Sequence, residues 1–402
     1  MTSLWWPGDH RAGDLLTDDA LFGALVAVEQ AWLDALVGTG VAPAAAACDL
    51  AAVAATVDPE RIAVAAESGG TPVMTLVAAL RAGAPDPPSA WLHRGLTSQD
   101  VLDTAVVLCA RDAVAAIRAE LGAQVTRLAE LAFTHRDTPA VARTLTQPAL
   151  PTTFGAKVAG WLHGVLDADA ALAAIARPVQ LGGAAGTNAA LVELAGSRAG
   201  DVRRSFATAL GLDPVPPWHT TRTTTTRLGD AAVTVTDALG RIARDVLQLG
   251  RAEVGEVVDG SAGGSSTMPH KANPTLSVLV RRAALAAPGL ASTLHLAAAD
   301  QVDERADGAW HAEWPTLAVL LRRTVVAAAQ STALLDVLVV RPDVMARRLA
   351  DSGDTLLAEQ QAMAALAGHD PGETYTGLAA EIVDEALARA AGHPAYLQED
   401  TR

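Results

Sequence analysis

Residues 263–277, GGSSTMPHKANPTLS, gather two serines, Ser265 and Ser266, one lysine, Lys271, and a proline-marked helix start. The whole chain of 402 residues holds only two lysines, Lys157 and Lys271, so 28 of its 30 basic residues are arginines. An ammonium kept in this loop, where arginine serves almost everywhere else, suggests a chemical use. Gly263 and Gly264 permit unusual backbone angles, whereas Pro269 and Pro274 stiffen the chain beyond them. Asn273 before Pro274 reads as an N-cap with a proline at the first helical position, so a helix should begin there and turn its positive end to the loop. An anion is favoured at such an end. These groups could hold a carboxylate and set a hydroxyl beside its α-carbon, which suits proton transfer. Taken alone, the segment is also readable as a structural Gly/Pro loop before a capped helix.

Two other segments repeat the theme. HRGLTSQDVLDTA, residues 93–105, places Thr97 and Ser98 at the apparent start of a long helix, with Asp100 three residues after Thr97 as in a capping box. ARTLTQPALPTTFGAKVAGWL sets Thr144, Thr146 and Gln147 before a helix expected to start at Pro151. Ordinary capping and a polar turn would explain each by itself. All three segments carry donors suited to carboxylates.

The elements that must position them are helices. Half the residues are hydrophobic but only 3% are aromatic, and alanine is abundant, which favours close-packed helices over β-branched strands. The fold class expected is all-α. The chain reads as an N-terminal helical domain over residues 1–98, closed by the Pro-rich APDPPSA, a central bundle over 99–340, and a small C-terminal helical domain over 341–402. Five long helical patterns fill the centre, roughly 99–135, 151–177, 225–258, 274–299 and 307–340. In the third, Val235, Leu239, Ile242, Val246 and Leu249 recur at steps of four and three, a narrow seam that helices bury against other helices. Helices of this length hint at association between chains.

A net charge of −15 and a pI near 5.0 argue against nucleic acid as a partner, since no basic stripe exists to displace counterions from phosphate. Cys48 and Cys109 have no paired spacing and read as buried thiols of a reducing compartment. The N-terminus lacks the basic start and apolar run of a signal peptide. The longest charge-free apolar run, residues 283–299, falls short of a membrane span and contains Pro288. A cytoplasmic protein without a membrane partner is expected.

GGSSTMPHKANP resembles the signature loop of the fumarase/aspartase superfamily. HRGLTSQDVLDTA, RTLTQPALPTTFGAKVAGWL, QLGGAAGTNAAL, PWHTTR and ERADGAWHAEWPTL are similar in particular to the 3-carboxy-cis,cis-muconate cycloisomerases, its lactonising branch. The resemblance covers about residues 70–320. It implies a three-domain all-α subunit with a central five-helix bundle, and a homotetramer whose sites are each shared among three chains. It further implies a small polycarboxylate substrate and neither metal nor organic cofactor. By the same resemblance Ser265 is the proton-transfer residue, with Lys271 and Asn273 binding a substrate carboxylate. The substrate-binding set expected beside them is His93, Thr97, Ser98, Thr144, Thr146, Gln147, His219, Ser266, Met268 and Arg305. His270 and His311 lie within the same motifs. The activity implied is interconversion of 3-carboxy-cis,cis-muconate and its lactone through an aci-carboxylate.

Departures from the family pattern bear on the leaving group. Fumarases and the argininosuccinate and adenylosuccinate lyases usually carry histidine where this chain has Leu145. A carboxylate, whose conjugate acid has a pKa of ~4, leaves near neutrality without an acid's help, whereas hydroxide-like and amine-like groups do not. Leu145 therefore favours a leaving group that is already a stable anion. Nitrite meets the same condition, so elimination of nitrite from nitrosuccinate is the alternative activity; a lyase-fold subunit retired from catalysis is the non-enzymatic one. Ala272 replaces a common arginine, Asp303 a frequent histidine, and Arg94, Leu96, Thr221 and Thr223 are further departures.

Overall fold

The computed structural model describes residues 3–260, 263, 264, 268 and 271–394. Helices dominate, in agreement with the alanine-rich, aromatic-poor sequence. The N-terminal part contains α1 (Asp18–Gly38), α2 (Leu50–Ala54), α3 (Pro59–Gly69), α4 (Pro72–Gly83) and α5 (Pro88–Trp91). Four of these start where the sequence supplies an oxygen cap: Thr17, Asp49, Asp58 and Thr71 each accept a backbone N–H of the first helical turn.

The centre is built on α6 (Ser98–Thr134), α7 (Phe154–Ala173), α10 (Thr223–Leu249), α11 (Thr275–Ala299) and α12 (Gly308–Val337), with α8 (Ala189–Ala195) and α9 (Ala199–Leu210) between α7 and α10. The α10 seam is buried as its spacing predicts: Val235, Leu239, Ile242, Val246 and Leu249 all lie in the bundle core. Gly240 lets α10 approach α11 closely, since a Cβ there would lie 2.4 Å from the Cβ of Ala284. A second hydrophobic cluster joins α1 and α4 to α9, to the first turns of α6 and to Trp310 of α12. Helices α13 (Pro342–Asp351), α14 (Ala358–Ala367) and α15 (Ala379–Ala391) complete the helices among the described residues, α15 packing on α7.

Three local expectations fail. The segment before α7 is a hairpin, β1 (Pro139–Thr144) paired antiparallel with β2 (Gln147–Thr153), so Pro151 lies in a strand and the helix begins at Phe154 under a Thr153 cap. The hairpin tolerates Pro148 and Pro151 because a two-stranded ribbon leaves each strand one edge without ladder bonds. Asn273 is not an N-cap: Pro274 occupies that place without a side-chain bond, and Asn273 instead exchanges backbone hydrogen bonds with Gly263, at 2.9 and 3.0 Å. The third long pattern also ends early, at Leu249. Beyond it β3 (Val257–Asp259) pairs with β4 (Leu338–Val340).

By length and apolarity α1 and α12 could cross a bilayer, but at least half of each such window is buried against the protein's own core.

Candidate active site

One end of the bundle is organised by the first turn of α6. Asp100, fully buried, accepts four N–H groups: those of Thr97 (3.0 Å), Gly182 (2.8 Å) and Gly183 (2.9 Å), and Nε2 of His219 (2.9 Å). The capping box read from the sequence is therefore also a junction of three loops. The Thr97 hydroxyl has a further partner: Nη2 of Arg305 donates to Oγ1 at 2.5 Å, and to the Ala184 carbonyl at 3.4 Å. Ser98 is half-buried at the first helical position. His93 stands at the mouth of this loop with φ of +59°, its Nδ1 2.6 Å from Glu29. His219 is buried, with Nε2 against Asp100.

Beneath lies a buried ionic group. Arg222 reaches both oxygens of Asp103, at 2.7 and 3.1 Å, and donates to Glu313 at 2.6 Å. Trp310 Nε1 and the side-chain amides of Gln99 and Gln180 complete Asp103, and Gln99 also binds the His219 carbonyl. Burial raises the Glu313 pKa, Arg222 works against that, and the charge of Asp103 adds to it. Burial pulls the Arg222 pKa down, but the charges and hydrogen bonds of Asp103 and Glu313 outweigh it and raise the pKa above the ordinary arginine value. Removing one member would strand a charge, so this group ties the starts of α6, α10 and α12 together.

The other candidates sit elsewhere. Thr144, Leu145, Thr146 and Gln147 form the exposed tip of the hairpin, where φ of +48° at Leu145 and +71° at Thr146 makes a two-residue turn matched to strand twist. Arg143 at the foot of this tip is bound to buried Glu256, 2.5 Å away. Lys271 is exposed and its N–H donates to the Met268 carbonyl at 3.0 Å; the Gly263–Asn273 bridge closes the neck of the loop. Ser265, Ser266 and His270 lie outside the described residues. Asp259, in β3, accepts from both the N–H and the hydroxyl of Ser277, which fixes the start of α11 close to that neck.

The two groups are at opposite ends of the bundle. Helix α6 runs 37 residues from Thr97 toward the hairpin, ~55 Å at 1.5 Å per residue. Helix α10 runs from Arg222 to the Glu256 side, and α11 returns antiparallel from Asn273 toward Arg305. His93, Thr97, Ser98, His219 and Arg305 thus occupy one end, and Thr144, Thr146, Gln147, Met268, Lys271 and Asn273 the other. Among the described residues, no single copy of the chain brings them to one place.

A family model described as "Lyase" matches residues 14–289. The chain belongs to the fumarase/aspartase superfamily. Among superfamily relatives, a nitrosuccinate lyase of Streptomyces davaonensis is 42% identical over 365 residues, covering 86% of this chain and 76% of the relative. A 3-carboxy-cis,cis-muconate cycloisomerase of Pseudomonas aeruginosa is 39% identical over 354 residues, covering 85% and 75%. The crystal structure of the 3-carboxy-cis,cis-muconate lactonizing enzyme from Pseudomonas putida superposes with a TM-score of 0.85 at 30% identity, covering 97% of both chains. The all-α fold and enzymatic character expected from the signature loop agree with these matches.

Several groups that build the Thr97 end were not singled out from the sequence: Glu29, Asp103, Arg222 and Glu313. Arg222 and Glu313 fall inside PWHTTR and ERADGAWHAEWPTL, so the motifs held the signal. Glu29 had none beyond being an acidic residue on the apolar face of α1.

Proposed function

We propose that the protein is a cycloisomerase that adds a substrate carboxylate across a conjugated double bond, converting 3-carboxy-cis,cis-muconate to its lactone in aromatic catabolism. The observation that carries this reading over an acid-assisted elimination is Leu145, 96% exposed at the tip where related eliminating enzymes hold an acid. With no proton donor at that place, the group that enters or leaves must be a stable anion, and an internal carboxylate is one. The coextensive match to the lactonizing enzyme supports the same choice.

In this reading the carboxylate oxygen attacks the β-carbon, forming the C–O bond as the π electrons move toward the neighbouring carboxylate. The resulting aci-carboxylate dianion is held by Lys271 and the loop neck at Asn273, and Ser265 gives its hydroxyl proton to the α-carbon. Thr97 and Arg305 bind a further carboxylate, with Arg305 offering a planar pair of donors.

The site is assembled from copies of the chain, with the Thr97 end of one meeting the hairpin tip and loop of others. Helix α11 supplies a seam for that assembly: Val278, Leu285 and Leu296 are 52, 72 and 69% exposed, and with Gly289, Ser292 and Ala299 they recur at coiled-coil spacing. A homotetramer with sites shared among three chains satisfies both the seam and the separation of the two groups.

A second reading is favoured by charge. Ala272 removes a cation and Asp303 adds an anion relative to the family pattern, which suits a dicarboxylate better than a tricarboxylate. Elimination of nitrite from nitrosuccinate to give fumarate is that alternative. The test monitors diene absorbance with 3-carboxy-cis,cis-muconate and nitrite release with nitrosuccinate, each with Ser265→Ala as control. Diene loss that vanishes in the variant supports lactonisation; nitrite release without diene loss replaces it with the lyase reading, and silence on both removes both.

A further inference from the structure

Helix α1 holds the loop before α6 by two side chains three residues apart. Trp32 Nε1 donates to the Arg94 carbonyl at 2.8 Å, and Glu29 Oε1 lies 2.6 Å from His93 Nδ1. The Glu29 side chain is completely buried, among the apolar residues of the N-terminal core, and its second oxygen has no partner among the described residues. Burying a carboxylate with half its acceptor capacity unused is costly, because the lost hydration is not replaced. A leucine would serve packing there better. His93 adds its own cost, since a non-glycine residue at φ of +59° is held by its surroundings. Two unfavourable features meet in one short contact, and the ring they control is still 17% exposed, with Nε2 in no hydrogen bond among the described residues.

We infer that Glu29 is a positioning residue that fixes the tautomer and plane of His93, so that Nε2 faces the substrate beside Thr97 and Arg305. A carboxylate accepts and has no hydrogen to give, so the ring nitrogen facing it carries the N–H and the outward nitrogen is left to the ligand. His93 then contacts the polycarboxylate substrate, and Glu29 acts only through His93. The inference rests on the site proposed above, but the tautomer itself is independent of which substrate is used.

The experiment compares the full-length protein with Glu29→Leu and Glu29→Gln. Nitrogen-15 spectra of the histidine rings, with His93 assigned by its loss in His93→Ala, are expected to show hydrogen on Nδ1 in the parent and transfer to Nε2 in Glu29→Leu. Thermal melting of Glu29→Leu is expected to stay level or rise. Turnover of whichever of the two substrates is active should fall about 10- to 100-fold, as for other groups that orient a functional histidine. In a His93→Ala background, Glu29→Leu should have no further effect on turnover. An unchanged His93 tautomer, or turnover losses that simply add, would overturn the inference. If Glu29→Leu fails to fold, Glu29→Gln carries the double-mutant comparison. If the parent turns over neither substrate, the proposed reaction fails while the ring spectra still decide the role of Glu29.

Discussion

Arg305 and Thr97, 208 residues apart in sequence, meet through a hydrogen bond of 2.5 Å from Nη2 to Oγ1. The contact joins the segment before α12 to the cap of α6 and leaves the rest of the guanidinium available to a ligand. Arg305→Lys keeps the charge but loses the planar fork. Its KM should rise, kcat/KM should fall about 10- to 100-fold, a loss of ~1.4 to 2.8 kcal/mol of transition-state binding, and the melting temperature should hardly move. A drop in melting temperature with unchanged KM would make the contact structural only.

Asp100 is satisfied by four N–H groups and has no oxygen to spare. Asp100→Asn turns an NH2 toward donors and removes the charge, so two or more N–H groups lose their acceptor. Destabilisation of about 3 kcal/mol is expected. Denaturant unfolding measures it, and a midpoint equal to that of the parent would refute the hub.

Leu145 sits at φ of +48° with its side chain almost wholly exposed. Leu145→Asn suits that backbone better and should leave folding unchanged or improve it by up to about 1 kcal/mol. If the tip is part of a shared site, turnover should nevertheless fall. Equal activity of the two proteins, assayed with the active substrate, would place the tip outside the site.

Asp9 is clasped by Arg322, whose Nε and Nη2 each lie 2.8 Å from a carboxylate oxygen, and it also accepts from Ser3. The Arg322 hydrogen bonds lower its pKa against the opposing effect of burial. Because the folded value lies below the unfolded one, the stabilisation is complete above the ordinary carboxylate pKa of ~4 and is lost as pH falls through the lowered value. Asp9→Asn should cost about 1–3 kcal/mol at neutral pH and flatten the acid limb of the stability curve. A parallel acid limb in parent and variant, measured by denaturant unfolding from pH 7 to 2, would contradict this.

Local rules carried much of the fold. Seam spacing marked the buried face of α10, and Asp100 three residues after Thr97 marked the start of α6. The hairpin was illegible because its prolines imitate a helix start, and only pairing with β1 shows that they lie on a strand. Asn273 was misread for a related reason: the local N-cap preference yielded to a backbone bridge with Gly263, which depends on a distant stretch of chain returning to the same place.

Residue types and their spacing were enough to define the chemistry on offer: a lysine retained beside two serines, a leucine where an acid is usual, and helices long enough to hint at association between chains. Where those groups stand depended on tertiary packing. It paired buried Glu29 with His93, put His219 against Asp100, enclosed Arg222 between Asp103 and Glu313, and separated the Thr97 end from the hairpin and loop. Helix periodicity and capping act within a few residues, whereas buried charge must be compensated by whatever side chain the packing of distant helices brings within hydrogen-bond reach.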